Sequence, residues 1–206
     1  MDTRPMRADA RRNHERLVAT ARAAFLEHGT GASLDDIARR AGVGSGTLYR
    51  HFPTRDDLLH AVLRDWIDAL LADAEALLAG GDGAGGDSGE VLAGWLRAYL
   101  SGAAAPRGTA AVLVEALSAR AGGTCTALGG PARAICDATA RLLARAQDAG
   151  TVRADVDARD LLRLANAIGI AAERAPEPAA YAGRMLALLF DGLRTGGRPP
   201  DGGGGP

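Results

Sequence analysis

Residues Ser33 to Phe52 read SLDDIARRAGVGSGTLYRHF, and the fold turns on this stretch. It divides into two short helices around a glycine turn. Ser33 with Asp36 is a variant of the capping box: a hydroxyl able to accept a backbone N–H, and an acid in the first turn. Leu34, Ile37, Ala38 and Ala41 then fall at i, i+3, i+4 and i+7, an apolar stripe of about two turns. Gly42 can enter the left-handed region where such a helix stops. Beyond Val43 and Gly44 a second helix is predicted over Ser45 to His51, exposing Ser45, Thr47, Arg50 and His51. This is helix-turn-helix chemistry, and those groups suit the phosphates of DNA.

Working outward, residues 1–11 are polar, contain Pro5 and are expected to form a disordered, mobile arm. A helix is predicted from Arg12 to His28, with Leu17, Ala21, Ala24 and Phe25 turned to a core and Gly29 ending it. Pro53 and Thr54 introduce a long fourth helix. Thr54 and Asp57 make a second cap-like pair, and Leu58, Leu59, Val62, Leu63, Trp66, Ile67, Leu70 and Leu71 keep helical period to Ala79. Gly80 to Gly89 reads as a flexible loop. Further helices are predicted over Glu90–Ala104, Thr109–Arg120, Pro131–Gln147, Ala158–Arg174 behind an Asp157 cap, and Pro178–Arg194. Residues 196–206, rich in Gly and Pro, are expected to be disordered. No period-2 alternation points to a strand. The expected architecture is all-α, with about nine helices. A three-helix head over residues 12–60 is joined by the long fourth helix to a helical-bundle body over 61–195.

The bulk numbers agree with a head and a body. Residues 1–60 hold 10 Arg against 8 acids and all 4 His, a balance of +2, whereas 61–206 balance at −3. That asymmetry fits a polyanion-binding end on an acidic body, though +2 alone is a small charge. Every basic side chain is Arg, with no Lys. Cys125 and Cys136 lack CxxC spacing and a nearby His, so neither a disulfide framework nor a zinc site is expected. The apolar run Met185 to Phe190 is far short of a membrane span, and MDTRPMRADARR lacks the apolar core of a signal peptide. The expectation is a soluble cytoplasmic protein with no membrane partner.

These residues resemble TetR-type transcriptional regulators. The resemblance is close over Asn13 to Ile67, carried by Ala21, Phe25 and Gly29 and by SLDDIARRAGVGSGTLYRHFPTRDDLL from Ser33 to Leu59. TVRADVDARDLLRLANAIGIAAER and the closing LLFDGLR are similar, more weakly, to the ligand-binding half of SbtR-like members. The resemblance implies a DNA-binding set. Ser45, Gly46 and Thr47 approach bases or nearby phosphates, Tyr49 and His51 contact phosphates, Arg55 reaches the backbone, and Ser33 is a phosphate contact as well as a cap. Arg50 replaces an aromatic residue and is suited to a phosphate or a guanine edge. Asp35 departs from the pattern, standing where some members place a base-reading Arg. Gly44 and Gly46 let the backbone approach a duplex closely, at a cost in helix propensity. Ser and Thr discriminate bases poorly, so sequence preference leans on Arg50, the Thr47 methyl and DNA shape.

Structural readings stand beside these functional ones. Phe52 is read as core, and Tyr49 as a ring packed at its base with the hydroxyl outward. His51 is otherwise a plain surface residue. Asp57 and His60 form a DxxH pair, better read as a capping acid and a surface His than as metal ligands. Arg4, Arg7, Arg11 and Arg12 suit either a minor-groove arm or a solvated tail. Trp66, Trp95 and Tyr99 either line an effector cavity or belong to the core. Asn166 interrupts an apolar stripe and meets either an effector or an internal partner.

The functional expectation is a repressor, without cofactor or metal and not an enzyme, released from a palindromic double-stranded operator by a small-molecule effector. A homodimer is expected, because two heads on a two-fold axis reach successive major grooves about 34–36 Å apart. Leu161, Leu164, Ile168, Met185, Leu188, Leu189 and Leu193 on the last two helices are the expected interface, with Gly169 and Gly183 permitting close approach. An activator of the same fold remains an alternative, as does an all-α enzyme, carrier or adaptor with a vestigial head. Against an enzyme, no Ser/His/Asp grouping, metal cluster or phosphate loop is found.

Overall fold

The computed structural model describes residues 4–80, 87–103, 106–118 and 128–195. Among them the chain forms nine helices: α1 Arg4–His28, α2 Leu34–Arg40, α3 Ser45–His51, α4 Arg55–Ala79, α5 Ser88–Ala103, α6 Thr109–Ser118, α7 Gly129–Asp148, α8 Ala158–Ala172 and α9 Pro178–Leu193. No strand is present among the described residues; one isolated antiparallel bridge joins Val152 to Arg194, beside a bond from Arg153 N–H to Leu193 C=O of 2.9 Å. It pins the end of α9 to the α7–α8 connection.

The helix boundaries follow local chemistry. Ser33 Oγ accepts from Asp36 N–H at 3.3 Å, opening α2, and Gly42 closes it at φ +67°. Thr54 and Asp57 make a complete capping box: Asp57 N–H donates to Thr54 Oγ1 at 3.1 Å, and Thr54 N–H to Asp57 Oδ2 at 2.8 Å. Thr54 is therefore the cap of α4 and Asp57 its capping-box acid. Asp157 Oδ1 opens α8 by accepting from Asp160 N–H at 2.9 Å.

One boundary corrects the sequence reading. Where a mobile arm was expected over residues 1–11, α1 runs back to Arg4. Pro5 lies in the first turn, where a missing N–H loses no intrahelical bond. The Ala and Arg residues that follow are good helix formers, and Asp9–Arg12 and Arg11–Glu15 pairs tie successive turns. The side chains of Arg4 and Arg7 lie outside the described residues, as do most of the Gly80–Gly89 loop, Cys125, Arg120 and the tail 196–206. Three starts or ends shift by a few residues: α5 begins at Ser88, α7 at Gly129, and α8 ends at Ala172.

Two apolar cores share one helix. The head core gathers Leu17, Ala21 and Phe25 of α1, Ile37 of α2, Leu48 of α3, the nearby Phe52, and Leu58, Leu59, Val62, Leu63 and Ile67 of α4. The body core joins Leu70 and Ala74 of the same α4 to Leu92, Trp95 and Leu96 of α5, Ile135 and Leu142 of α7, Leu161 and Leu162 of α8, and Phe190 of α9. Trp66 and Leu71 pack against both. Each fully buried side chain of this size contributes about 1.5–3 kcal/mol of transfer free energy.

Candidate functional site

α3 is anchored from beneath and open above. Leu48 is completely buried and Phe52 nearly so, which fixes the helix against the head core. On the outer side Ser45, Gly46, Tyr49 and Arg50 are exposed, while Thr47 and His51 are half-buried. Tyr49 retains 46% of its surface. Among the described residues neither the Tyr49 hydroxyl nor the Arg50 guanidinium has a hydrogen-bond or ion-pair partner. A Cβ built on Gly44 or Gly46 meets nothing within 4 Å, so no packing inside the chain demands glycine at either position. The open space lies where a second molecule would approach.

Several groups are already engaged. Ser45 Oγ donates to Asp35 Oδ1 at 2.7 Å, tying the first turn of α2 to that of α3. Arg39 pairs with Asp36 at 2.7 Å and Arg40 with Glu27 at 2.8 Å. The Arg40 hydrogen bond and charge hold Glu27 below the usual carboxylate range. Arg55, expected at the DNA backbone, donates from Nη1 to the carbonyls of Thr30 at 2.8 Å and Ala32 at 2.5 Å. Those bonds make Arg55 a clamp that holds the α1–α2 turn against the start of α4. Ser33 serves as the cap.

His51 belongs to a ring cluster that sequence reasoning missed. His14 on α1 lies 4.9 Å from Phe52 and 5.9 Å from His51, centroid to centroid. Burial, then the positive fields of His51 and Arg64, lower the His14 pKa, with Glu15 opposing. The available signal was position: His14 precedes Leu17, Ala21 and Ala24 on the inward stripe of α1.

Two of the three candidate cavity aromatics, Trp95 and Tyr99, are core. Trp95 and Tyr99 are each 1% exposed, with ring planes 11° apart. Trp95 Nε1 donates to Leu70 C=O at 3.1 Å; Tyr99 Oη donates to Asn166 Oδ1 at 2.8 Å; Asn166 Nδ2 donates to Leu162 C=O at 2.9 Å. Burial pushes the Tyr99 phenol above its usual range. Asn166 is therefore a satisfied internal amide. Trp66 is half-buried, its ring 6.0 Å from Tyr99, and its Nε1 has no partner among the described residues. A cavity of 520 Å³ opens elsewhere, between α5, the Arg107 loop, α8 and α9, lined in part by Leu100, Ser101, Ala172, Ala182 and Leu186.

The expected interface splits in two. Leu164 and Leu188 are 49% and 63% exposed, Ile170 joins them, and Ile168, Met185 and Leu189 are half-buried. Leu161 and Leu193 instead belong to the subunit's own core. Gly169 also faces inward, its virtual Cβ 3.4 Å from Ala110 Cβ and 3.5 Å from Leu100 Cδ2. A helix between its own core and a partner carries two apolar faces, and spacing alone does not say which is which.

A helix-turn-helix head continuous through one long helix with an all-α body defines a class of two-part transcriptional regulator. Residues 17–62 match the family described as bacterial regulatory proteins, tetR family, and residues 87–195 match the SbtR-like transcriptional regulator C-terminal domain. A TetR transcriptional regulator from Streptomyces coelicolor is 35% identical, with 88% of this chain and 98% of that chain covered at a TM-score of 0.56. A TetR-family regulator from Pectobacterium atrosepticum is 27% identical over 97% of this chain and 100% of its own, also at TM-score 0.56. An HTH-type transcriptional regulator of Staphylococcus aureus is 39% identical over 67 residues, 32% of this chain; the match spans 36% of that relative's length. The chain belongs to the TetR family of transcriptional regulators. No described helix is long and apolar enough to cross a membrane.

Proposed function

We propose that the protein is a homodimeric repressor that grips a palindromic operator and releases it when a small molecule enters the body. The observation that carries this reading is α3, fixed inward by Leu48 while Tyr49, Arg50, Ser45 and the bare backbone of Gly46 face out. Tyr49, Arg50 and His51 anchor phosphates and set the register; Thr47, Arg50 and groove shape supply base preference. Ser45 joins them once its hydroxyl exchanges Asp35 for DNA. Asp35, carrying a negative charge at this face, selects against approaches that bring a phosphate close to it.

Leu164, Ile168 and Ile170 of α8 with Met185, Leu188 and Leu189 of α9 form the proposed two-fold interface. A ligand in the body shifts α4, changes the separation of the heads, and removes the gain from binding both half-sites together.

The experiment is selection of a duplex from a random pool by the purified chain, followed by fluorescence anisotropy across a salt series. A short palindrome bound with a steep salt slope, and weakened by Tyr49→Ala and by His51→Ala, is the expected result. Retention of no duplex at low salt would end this reading.

A further inference from the structure

The 520 Å³ cavity has a largely apolar lining that also holds three charged residues: Leu100, Ala172, Ala182 and Leu186 line it, together with Arg97, Arg107 and Glu173. Two of the three charged groups have partners. Arg97 lies 3.6 Å from Glu90, and Glu173 Oε1 accepts from Gly108 N–H at 2.8 Å. The exposed Arg107 guanidinium has no partner among the described residues. An apolar cavity of this size, with a guanidinium in its lining that is uncommitted among the described residues, suits an apolar body ending in a carboxylate, which a guanidinium receives in bidentate fashion.

The backbone of the same residue reaches the head. Arg107 C=O accepts from Thr30 N–H at 2.8 Å, in the α1–α2 turn. The fit is close on both sides. Gly29 has φ +74° and its virtual Cβ would meet Arg107 O at 2.9 Å; Gly108 has φ +92° and its virtual Cβ would meet Thr30 Oγ1 at 2.5 Å. Thr30 and Ala32 carbonyls are in turn clamped by Arg55, and Ser33 follows directly into α2. Arg107 lies in the loop Pro106–Gly108, and Glu173, which also lines the cavity, holds that loop through Gly108 N–H. The loop thus meets the turn leading into α2 through one backbone bond and two close approaches at glycine.

We propose that the cavity takes a small amphipathic anion, an apolar chain or ring bearing a carboxylate, anchored by Arg107, and that its occupancy reaches α2 and α3 through the Arg107–Thr30 backbone bond. This rests on the ligand-responsive regulator reading and assigns its ligand class and route.

Calorimetry on the full chain with decanoate, decanol and decylammonium tests the class without any DNA. Decanoate binds at least about ten-fold more tightly than the other two, and Arg107→Gln, confirmed folded by its melting curve, loses that preference. Equal affinity for the three probes, or a carboxylate preference surviving in R107Q, overturns the proposal. Anisotropy on a duplex selected by the protein tests the route. Saturating decanoate changes duplex affinity at least about five-fold. Gly108→Ala abolishes that change while decanoate still binds, and adding Thr30→Ala to it brings the change back. A coupling untouched by Gly108→Ala overturns the route. If that variant melts below assay temperature, Gly29→Ala, which crowds the Arg107 carbonyl on the other side of the same contact, takes its place: lost coupling supports the route and intact coupling overturns it. Failure to retain any duplex defeats the regulator reading instead, and the calorimetric result still decides the ligand class.

Discussion

Tyr49 is 46% exposed on α3 and its hydroxyl has no partner among the described residues, so Tyr49→Phe removes one donor and leaves the helix unchanged. A hydrogen bond to a charged group is worth about 1.5–3 kcal/mol, so duplex affinity should fall roughly ten-fold or more by anisotropy. Arg50→Ala should additionally lower the salt slope by about one phosphate equivalent for each head bound. His14, packed beside His51 and Phe52 at the end of α3, carries a pH signature. Its pKa is lowered in the fold by burial and by the nearby positive groups, so the unfolded chain takes up a proton near its ordinary value of about 6.5 that the folded head resists. Stability is complete above that value and declines as pH falls toward the lower folded pKa. Melting temperature should drop between about pH 7.5 and about pH 5.5, and the drop should shrink in His14→Gln. An unchanged drop would place the proton elsewhere. The exposed row on α3 was readable because helical spacing and a preceding glycine turn suffice to place it. Arg55 was not, since its acceptors, Thr30 and Ala32, come within reach only when the chain folds back. A long donor side chain chooses among partners that spacing cannot reveal.

Helices were the most legible scale. Ser33, Thr54 and Asp157 announced their helices because a cap is a contact over three residues, made before any tertiary structure. Thr54→Ala should therefore cost about 1 kcal/mol, read as a lower denaturation midpoint with unchanged slope. What spacing left open was the partner of each apolar face, as Leu161 and Leu164 illustrate: three residues apart on α8, one is buried and the other half exposed. Trp95 and Tyr99 were ambiguous for a related reason. Large rings suit a pocket and a core equally, and the deciding facts are the bonds from Trp95 to Leu70 and from Tyr99 to Asn166. Gly102 is the sharpest test at this scale, since its virtual Cβ would lie 1.7 Å from Trp66 Nε1. Gly102→Ala must displace the indole or part α4 from α5, at about 1–3 kcal/mol, with a shift in tryptophan emission. Unaltered emission and stability would contradict the packing described.

For the whole molecule, the proposed dimer makes its own demand. Leu188→Glu and Leu164→Glu place a carboxylate on an exposed apolar patch and leave the subunit core untouched. Light scattering should report half the native mass, and duplex affinity should fall by about two orders of magnitude or more as the second head is lost. A dimer surviving both substitutions would move the interface elsewhere. The continuity of α4 has a different consequence, for anyone who recombines these proteins. Its residues up to Ile67 serve one core and those from Leu70 the other, with Trp66 and Leu71 touching both. A chimera that exchanges operator preference between relatives therefore has no linker to cut. The splice falls inside a continuous rod, and whichever parent donates Trp66 must also donate the glycine that receives it on α5.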